Sequence, residues 1–198
     1  MGETEGKTAV TPAEEIAPLL SPLTAVQKLL ARFDDRGVVI GGIASSLLGR
    51  PRFTADVDVV ILLAIDDLPR LVQAAAQEGL EPRIPNAEDF AGRHRVLLLR
   101  HQSSGINVDI SLGILPFERE AVERSIVHQV GALAIRLPTP EDLIIFKAVA
   151  HRPKDMQDIP AIIANHPSLD RERIKHWVIE FAQVLEMPEL WDDIAGWL

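Results

Sequence analysis

VVIGGIASSLLGRPRFTADVDVVI, residues 38–61, decides the fold. Val38 to Ile40 reads as a short strand, Gly41 and Gly42 as a tight turn, and Ile43 to Gly49 as a short helix stopped by glycine. Asp56 to Leu63 reads as a second strand, apolar on both faces after its first residues, which predicts a central place in a sheet. Glycines at a strand-to-helix turn let backbone N–H groups approach a phosphate closely, and the positive helix end favours the anion. Ser45 and Ser46 offer hydroxyls to the same ligand. Taken alone, the Gly-Gly pair has a competing reading, a tight turn that needs glycine for its dihedrals.

Asp56 and Asp58 stand two apart on the strand, so their side chains leave the same face. At ~5 Å and an effective dielectric of about 20 the two charges repel by roughly 3 kcal/mol, and partial burial adds desolvation. A divalent cation removes that penalty. The bland alternative is a strand end in solvent with Asp56 as a turn residue; the apolar run after Asp58 opposes it by carrying the strand into the core. Asp109, in GINVDISLG (105–113), is another isolated carboxylate within a strand of apolar and small residues, a setting where Asp is depleted. If that strand lies beside the Asp56 strand, the three carboxylates converge into the ligand set of a two-metal phosphoryl-transfer site. Alone, Asp109 reads as readily as a surface residue.

The rest of the chain limits the chemistry. Its 198 residues suit one compact domain, and 47% hydrophobic with 25% charged residues is an ordinary globular balance. A net charge of -9 opposes a long, sequence-independent grip on a nucleic-acid backbone. Cysteine is absent, so a metal would be held by carboxylate or imidazole, with Mg2+ or Mn2+ as the expected ion. No apolar run approaches the ~20 residues of a membrane span, and the acidic start MGETEGKTAV lacks an apolar signal core, so a cytoplasmic protein without membrane contact is expected.

Around the deciding stretch we expect a polar tail over 1–11 and a helix carrying Leu23, Val26, Leu29 and Leu30 that ends near Gly37. A helix follows over 67–80, then two strands, RVLLLRH (95–101) and INVDISLG (106–113), joined by QSSG, then a short strand over 132–137. Thr139 reads as an N-cap followed by Pro140, Glu141 and Asp142, opening a helical region to Leu198. The expected organisation is an α/β core over 12–138 with helices over 139–198 packed on it. The six histidines show no metal-ligand spacing, and Trp177, Trp191 and Trp197 read as core or partner contacts.

Together these residues resemble the nucleotidyltransferase superfamily of the DNA polymerase beta type, whose pattern is a glycine turn, a short helix, an Asp-x-Asp strand and a third Asp strand. The G-x-x-R-x-T-x-D-x-D run at Gly49, Arg52, Thr54, Asp56 and Asp58 is similar to the minimal bacterial group that includes the AbiEii toxins. So is the later stretch with Lys147, Arg152, Lys154, Asp155 and Asp158. The resemblance implies a mixed central sheet flanked by helices and a nucleoside triphosphate held on Mg2+ or Mn2+. It implies Asp56, Asp58 and Asp109 as metal ligands and catalytic groups, with Gly41, Gly42, Ser45, Ser46, Arg52, Thr54 and Lys147 around the nucleotide. For Lys147 the alternative is a lysine lying along an amphipathic helix, and Asp155 and Asp158 read preferentially as caps of the next helix. The acceptor stays open among RNA, protein and small molecule. A regulatory toxin-antitoxin component acting by protein binding, and a hydrolase using the same carboxylates, are the rival functions.

Overall fold

A computed structural model describes residues 17–198, so the expected tail and the residues before Ala17 lie outside the described residues. Helix α1 (Leu20–Ala31) buries Leu23, Val26, Leu29 and Leu30, the positions that recur at helical spacing. It ends before Gly37, because Asp34 and Asp35 take positive φ of 56° and 52° and reverse the chain. Strand β1 (Gly37–Ile40) runs directly into α2 (Gly41–Leu48), and β2 (Asp56–Leu62) follows. Next come α3 (Leu68–Gln77), β3 (Leu80–Pro82), α4 (Ala87–His94), β4 (Val96–His101), β5 (Asn107–Gly113) and α5 (Pro116–Glu123). A hairpin of β6 (Ile126–Val130) and β7 (Leu133–Leu137) leads to α6 (Pro140–Ala150), α7 (Pro153–Asn165), α8 (Arg171–Leu185) and α9 (Glu189–Ala195).

The fold is mixed α/β. Its main sheet has the order β1-β2-β5-β4-β3, with β2 and β5 parallel and the other pairs antiparallel. Strand β2 has neighbours on both sides, as its apolar sequence predicts, and β4 and β5 form the expected hairpin. The strand read over 132–137 joins β6 in a separate two-stranded sheet. Four elements have little signal in sequence: β3 is three residues long, α4 and α5 are short and polar, and β6 leaves Ile126 and Val127 exposed.

Alternation along the strands gives the sheet two unlike faces. One carries Val39, Val57, Val59, Ile61, Leu97, Leu99, Val108 and Ile110 into the main core. The other buries Val38, Val60 and Leu62 under Val122 of α5, and then turns polar towards the amino-terminal ends of β2 and β5. Thr139 caps α6 by accepting a hydrogen bond from Asp142 N at 3.3 Å. Asp142, fully buried, is compensated by Arg173 of α8 at 2.7 Å, which fastens α8 to α6. None of the described helices is long and apolar enough to cross a membrane.

Candidate active site

The sheet register places the three carboxylates. Asp58 is paired with Ile40 on one side and Asp109 on the other, and Asp109 with Leu98, so these residues form one rung across the sheet. Asp56, Asn107 and Arg100 form the next rung on the same face. Asp56, Asp58 and Asp109 therefore share a face, the outcome required for a joint role. They do not converge as tightly as the sequence suggests, for among the described residues no group of three carboxylate or imidazole side chains is set to hold one metal ion. Asp109 is turned towards Arg83 instead. The backbone N–H of Arg83 donates to Leu98 O at 3.1 Å, continuing the β3–β4 ladder. Its Nη2 donates to Asp109 Oδ2 at 3.1 Å, and Nη1 lies 2.6 Å from Oδ1.

The glycine turn closes directly on this face. Gly41 has φ +64°, and a Cβ there would lie 2.0 Å from Asp58 Oδ2; at Gly42 it would lie 2.4 Å from Thr54 Oγ1. Any side chain at either position would displace the site, so both glycines are explained by close approach. Thr54 is buried and donates to Asp56 Oδ1 at 3.0 Å, which orients that carboxylate.

Asp58 is the most perturbed carboxyl of the site. Burial first, and then the charges of Asp56 and Asp109, push its pKa up to about 6, against a partial offset from Lys154 and Arg152. Among the described residues its carboxylate accepts no hydrogen bond that would favour the charged form. A half-buried, uncompensated carboxylate beside a second one is the donor set that a hard divalent cation satisfies. Asp56 and Asp58 fit such an ion, and Asp109 fits only after leaving Arg83.

The raised pKa has a consequence for stability. The folded state holds the Asp58 proton more tightly than the unfolded chain, so ionisation above about pH 6 costs the fold roughly 3 kcal/mol, and the cost fades as pH falls towards 3.8. Without metal, Asp58→Asn should melt at a higher temperature than the wild type at pH 7.5, and the gap should close near pH 4. Thermal unfolding across that range checks it; equal melting at pH 7.5 would contradict the strain assigned to Asp58.

Four of the residues expected around the nucleotide make contacts within the protein. Ser45 and Ser46 are buried, and their hydroxyls donate to Gly41 O at 2.8 Å and Arg52 O at 2.9 Å, so they close the α2 loop from within. Arg52 grips Asp158 with Nε and Nη2, both at 2.9 Å. Lys147 does not lie along the surface. It is 2% exposed, and its ammonium donates to Asp155 at 3.1 Å and Asp158 at 2.6 Å. The two carboxylates consequently do not cap α7; Arg152 occupies the N-cap without a side-chain cap bond. Burial explains the change, since a lysine inside the helical layer needs carboxylate partners more than the helix end needs a cap.

The network brings a cationic edge to the carboxylates. Arg152 holds Asp155 and feels the charges of Asp58 and Asp56, while Lys154 also acts on Asp58. Their motif is visible in the sequence, but their side of the cleft is set by how α7 packs. Arg83 has no sequence signal, since its place opposite Asp109 arises from pairing across three strands. A separate cavity of about 370 Å³ lies at the other end of β2 and β5, lined by Phe33, Arg36, Leu62, Arg70 and Arg119. It contains none of the three carboxylates.

The family model described as "Nucleotidyltransferase of unknown function (DUF6036)" matches residues 19–189. No curated protein matches the chain. Among solved structures, the antibiotic-resistance factor ANT(2'')-Ia superposes with a TM-score of 0.54 at 17% identity, covering 85% of this chain and 95% of that one. An antigenic nucleotidyltransferase-like protein from Paracoccidioides brasiliensis superposes with a TM-score of 0.51 at 17% identity, covering 95% of each chain. At that identity both show a shared fold.

Proposed function

Because this chain belongs to the DUF6036 family of nucleotidyltransferases of unknown function, we propose that it moves a nucleoside monophosphate from a triphosphate to a hydroxyl acceptor and releases pyrophosphate. The observation that carries this reading is the closure of the Gly41-Gly42 turn onto Asp58 and Thr54, on the sheet face that also bears Asp56 and Asp109. Hydrolysis alone needs no such cradle. Asp56 and Asp58, with Asp109 once turned from Arg83, would hold Mg2+ or Mn2+, which would neutralise the triphosphate and the charge developing on the reacting oxygens.

The chain's own groups do the rest. The backbone of Gly41 and Gly42 and the amino-terminal end of α2 receive the β- and γ-phosphates. Arg152 and Lys154, whose charges reach Asp58, offset the remaining charge. Thr54 keeps Asp56 in place through its hydroxyl. Asp109 takes the proton of the acceptor hydroxyl as its oxygen bonds to the α-phosphorus and the bond to pyrophosphate breaks.

The test is incubation of the protein with each α-labelled nucleoside triphosphate, Mg2+ or Mn2+, and cell extract. A labelled acceptor and free pyrophosphate are expected, and Asp58→Asn should abolish both product and triphosphate binding. Tight triphosphate binding with no product from any extract would favour the second reading, a regulatory toxin-antitoxin component of this fold that acts through protein contact. Its support is the AbiEii-like order of motifs and the exposed Val184, Leu185 and Trp197 near the carboxyl end.

A further inference from the structure

Beyond Asp109 the sheet face continues, uncovered, onto β4 and β3. In register with Asp56 and Asn107 stands Arg100, facing Glu81; two residues on from Glu81, just past the end of β3, Arg83 reaches back to Asp109. Adjacent strands lie about 4.8 Å apart, so Arg100 is two strands from Asp56 and one from Asn107. A hollow of about 420 Å³ opens here, bordered by Glu81, Pro82, Arg83, Arg100 and Gln102. That is room for a small ligand.

The charges of this shelf are unevenly spent. Glu81 accepts a hydrogen bond from Gln102 and, among the described residues, forms no ion pair with Arg100 despite facing it. Among the described residues Arg100 donates only through Nε, at a long 3.4 Å, to Asn107 Oδ1. Arg83 Nη1 is buried and has no aligned acceptor among the described residues, although it lies against Asp109. Arg100 spends little of its charge within the protein, and Arg83, paired with Asp109 here, would be released when Asp109 turns to the metal; with Glu81 as the carboxylate at the border, the two guanidinium groups then make a local anion site on a protein of net charge -9.

We propose that this shelf is the acceptor subsite and that the acceptor is a small phosphorylated hydroxyl compound, such as a sugar phosphate. The inference rests on the nucleotidyl transfer proposed above. The acceptor hydroxyl sits at Asp109, and its phosphate lies over Arg100 and Arg83, one sugar ring away. Its oxygen attacks the α-phosphorus, its proton passes to Asp109, and pyrophosphate leaves. A cationic acceptor would be repelled by both arginines, and the acidic surface disfavours an extended nucleic-acid chain.

The experiment uses the whole protein with Mn2+ and a mixture of the four α-labelled nucleoside triphosphates. It is offered ribose, ribose 5-phosphate, glucose, glucose 6-phosphate and glucosamine. Label is expected on the phosphorylated sugars alone. Calorimetry with ribose 5-phosphate should show binding to the wild type weakened about 10-fold in Arg100→Gln, the scale of one charge-assisted contact. Triphosphate affinity, read on the same samples, reports the underlying function separately. Normal triphosphate binding together with label on glucosamine or neutral sugars, no binding of ribose 5-phosphate, or equal binding to Arg100→Gln overturns the anionic acceptor. Absence of triphosphate binding in the wild type overturns the transferase reading and this inference with it.

Discussion

Asp109→Asn should keep its affinity for the nucleoside triphosphate and lose transfer by ~100-fold or more, the scale of a missing general base. Asp58 lies directly beneath Gly41, whose Cβ position would be only 2.0 Å from its Oδ2, and Asp56 is held by Thr54 beneath Gly42, so the pair is placed to hold the ion that travels with the triphosphate. Asp109 is one strand further out and is engaged by Arg83 rather than by the turn. Its amide replacement preserves shape and removes the proton acceptor, so binding and transfer should separate. Asp58→Asn should lose both together. Calorimetry with Mg2+ and the triphosphate, paired with turnover on whichever acceptor is labelled, reads the two quantities. Equal loss of binding in the two variants would end the division of roles, and full transfer by Asp109→Asn would remove Asp109 from the chemistry.

Lys147→Met should cost about 3–5 kcal/mol of stability, because it leaves two buried carboxylates without their shared cation. Lys147, Asp155 and Asp158 are all buried, and the cluster joins α6, α7 and, through Arg52, the loop before β2. Burial pushes the Asp155 carboxyl up, but the hydrogen bond from Arg152 and the charge of Lys147 outweigh it and hold it below the ordinary value. Asp158 behaves alike, with Arg52 and Lys147 as its partners. For depressed carboxylates the stabilisation is complete above the unfolded pKa and disappears as pH falls through the folded one. The wild type should therefore lose stability on acidification below about pH 4, from the ordinary carboxyl value, and Lys147→Met should lose less over the same interval. Urea unfolding at pH 7 and pH 3 measures both. A change under 1 kcal/mol at pH 7 would mean that solvent already compensates these carboxylates.

Local sequence determined those features whose physics is local. The strand and the helix at residues 38–48 follow from apolar runs broken by Gly41 and Gly42, although the two glycines open the helix rather than forming a separate turn before it. Two carboxylates at i and i+2 on β2 share a face in any strand, and an apolar β2 seeks neighbours on both sides. The Thr139 cap is likewise a matter of four consecutive residues. Tertiary structure decided whatever depended on which strands and helices meet. Parallel pairing of β2 with β5 put Asp109 beside Asp58, and the ladder through β4 to β3 brought Arg83 from 26 residues away to hold it. Neither strand order nor register is encoded in a short window. Lys147 shows the same limit: its motif was legible, but its burial among Asp155, Asp158 and their arginines is set by how α6 packs on α7. That packing is also what gathers Lys147, Asp155 and Asp158 into an interior ion network in place of a surface lysine and helix caps.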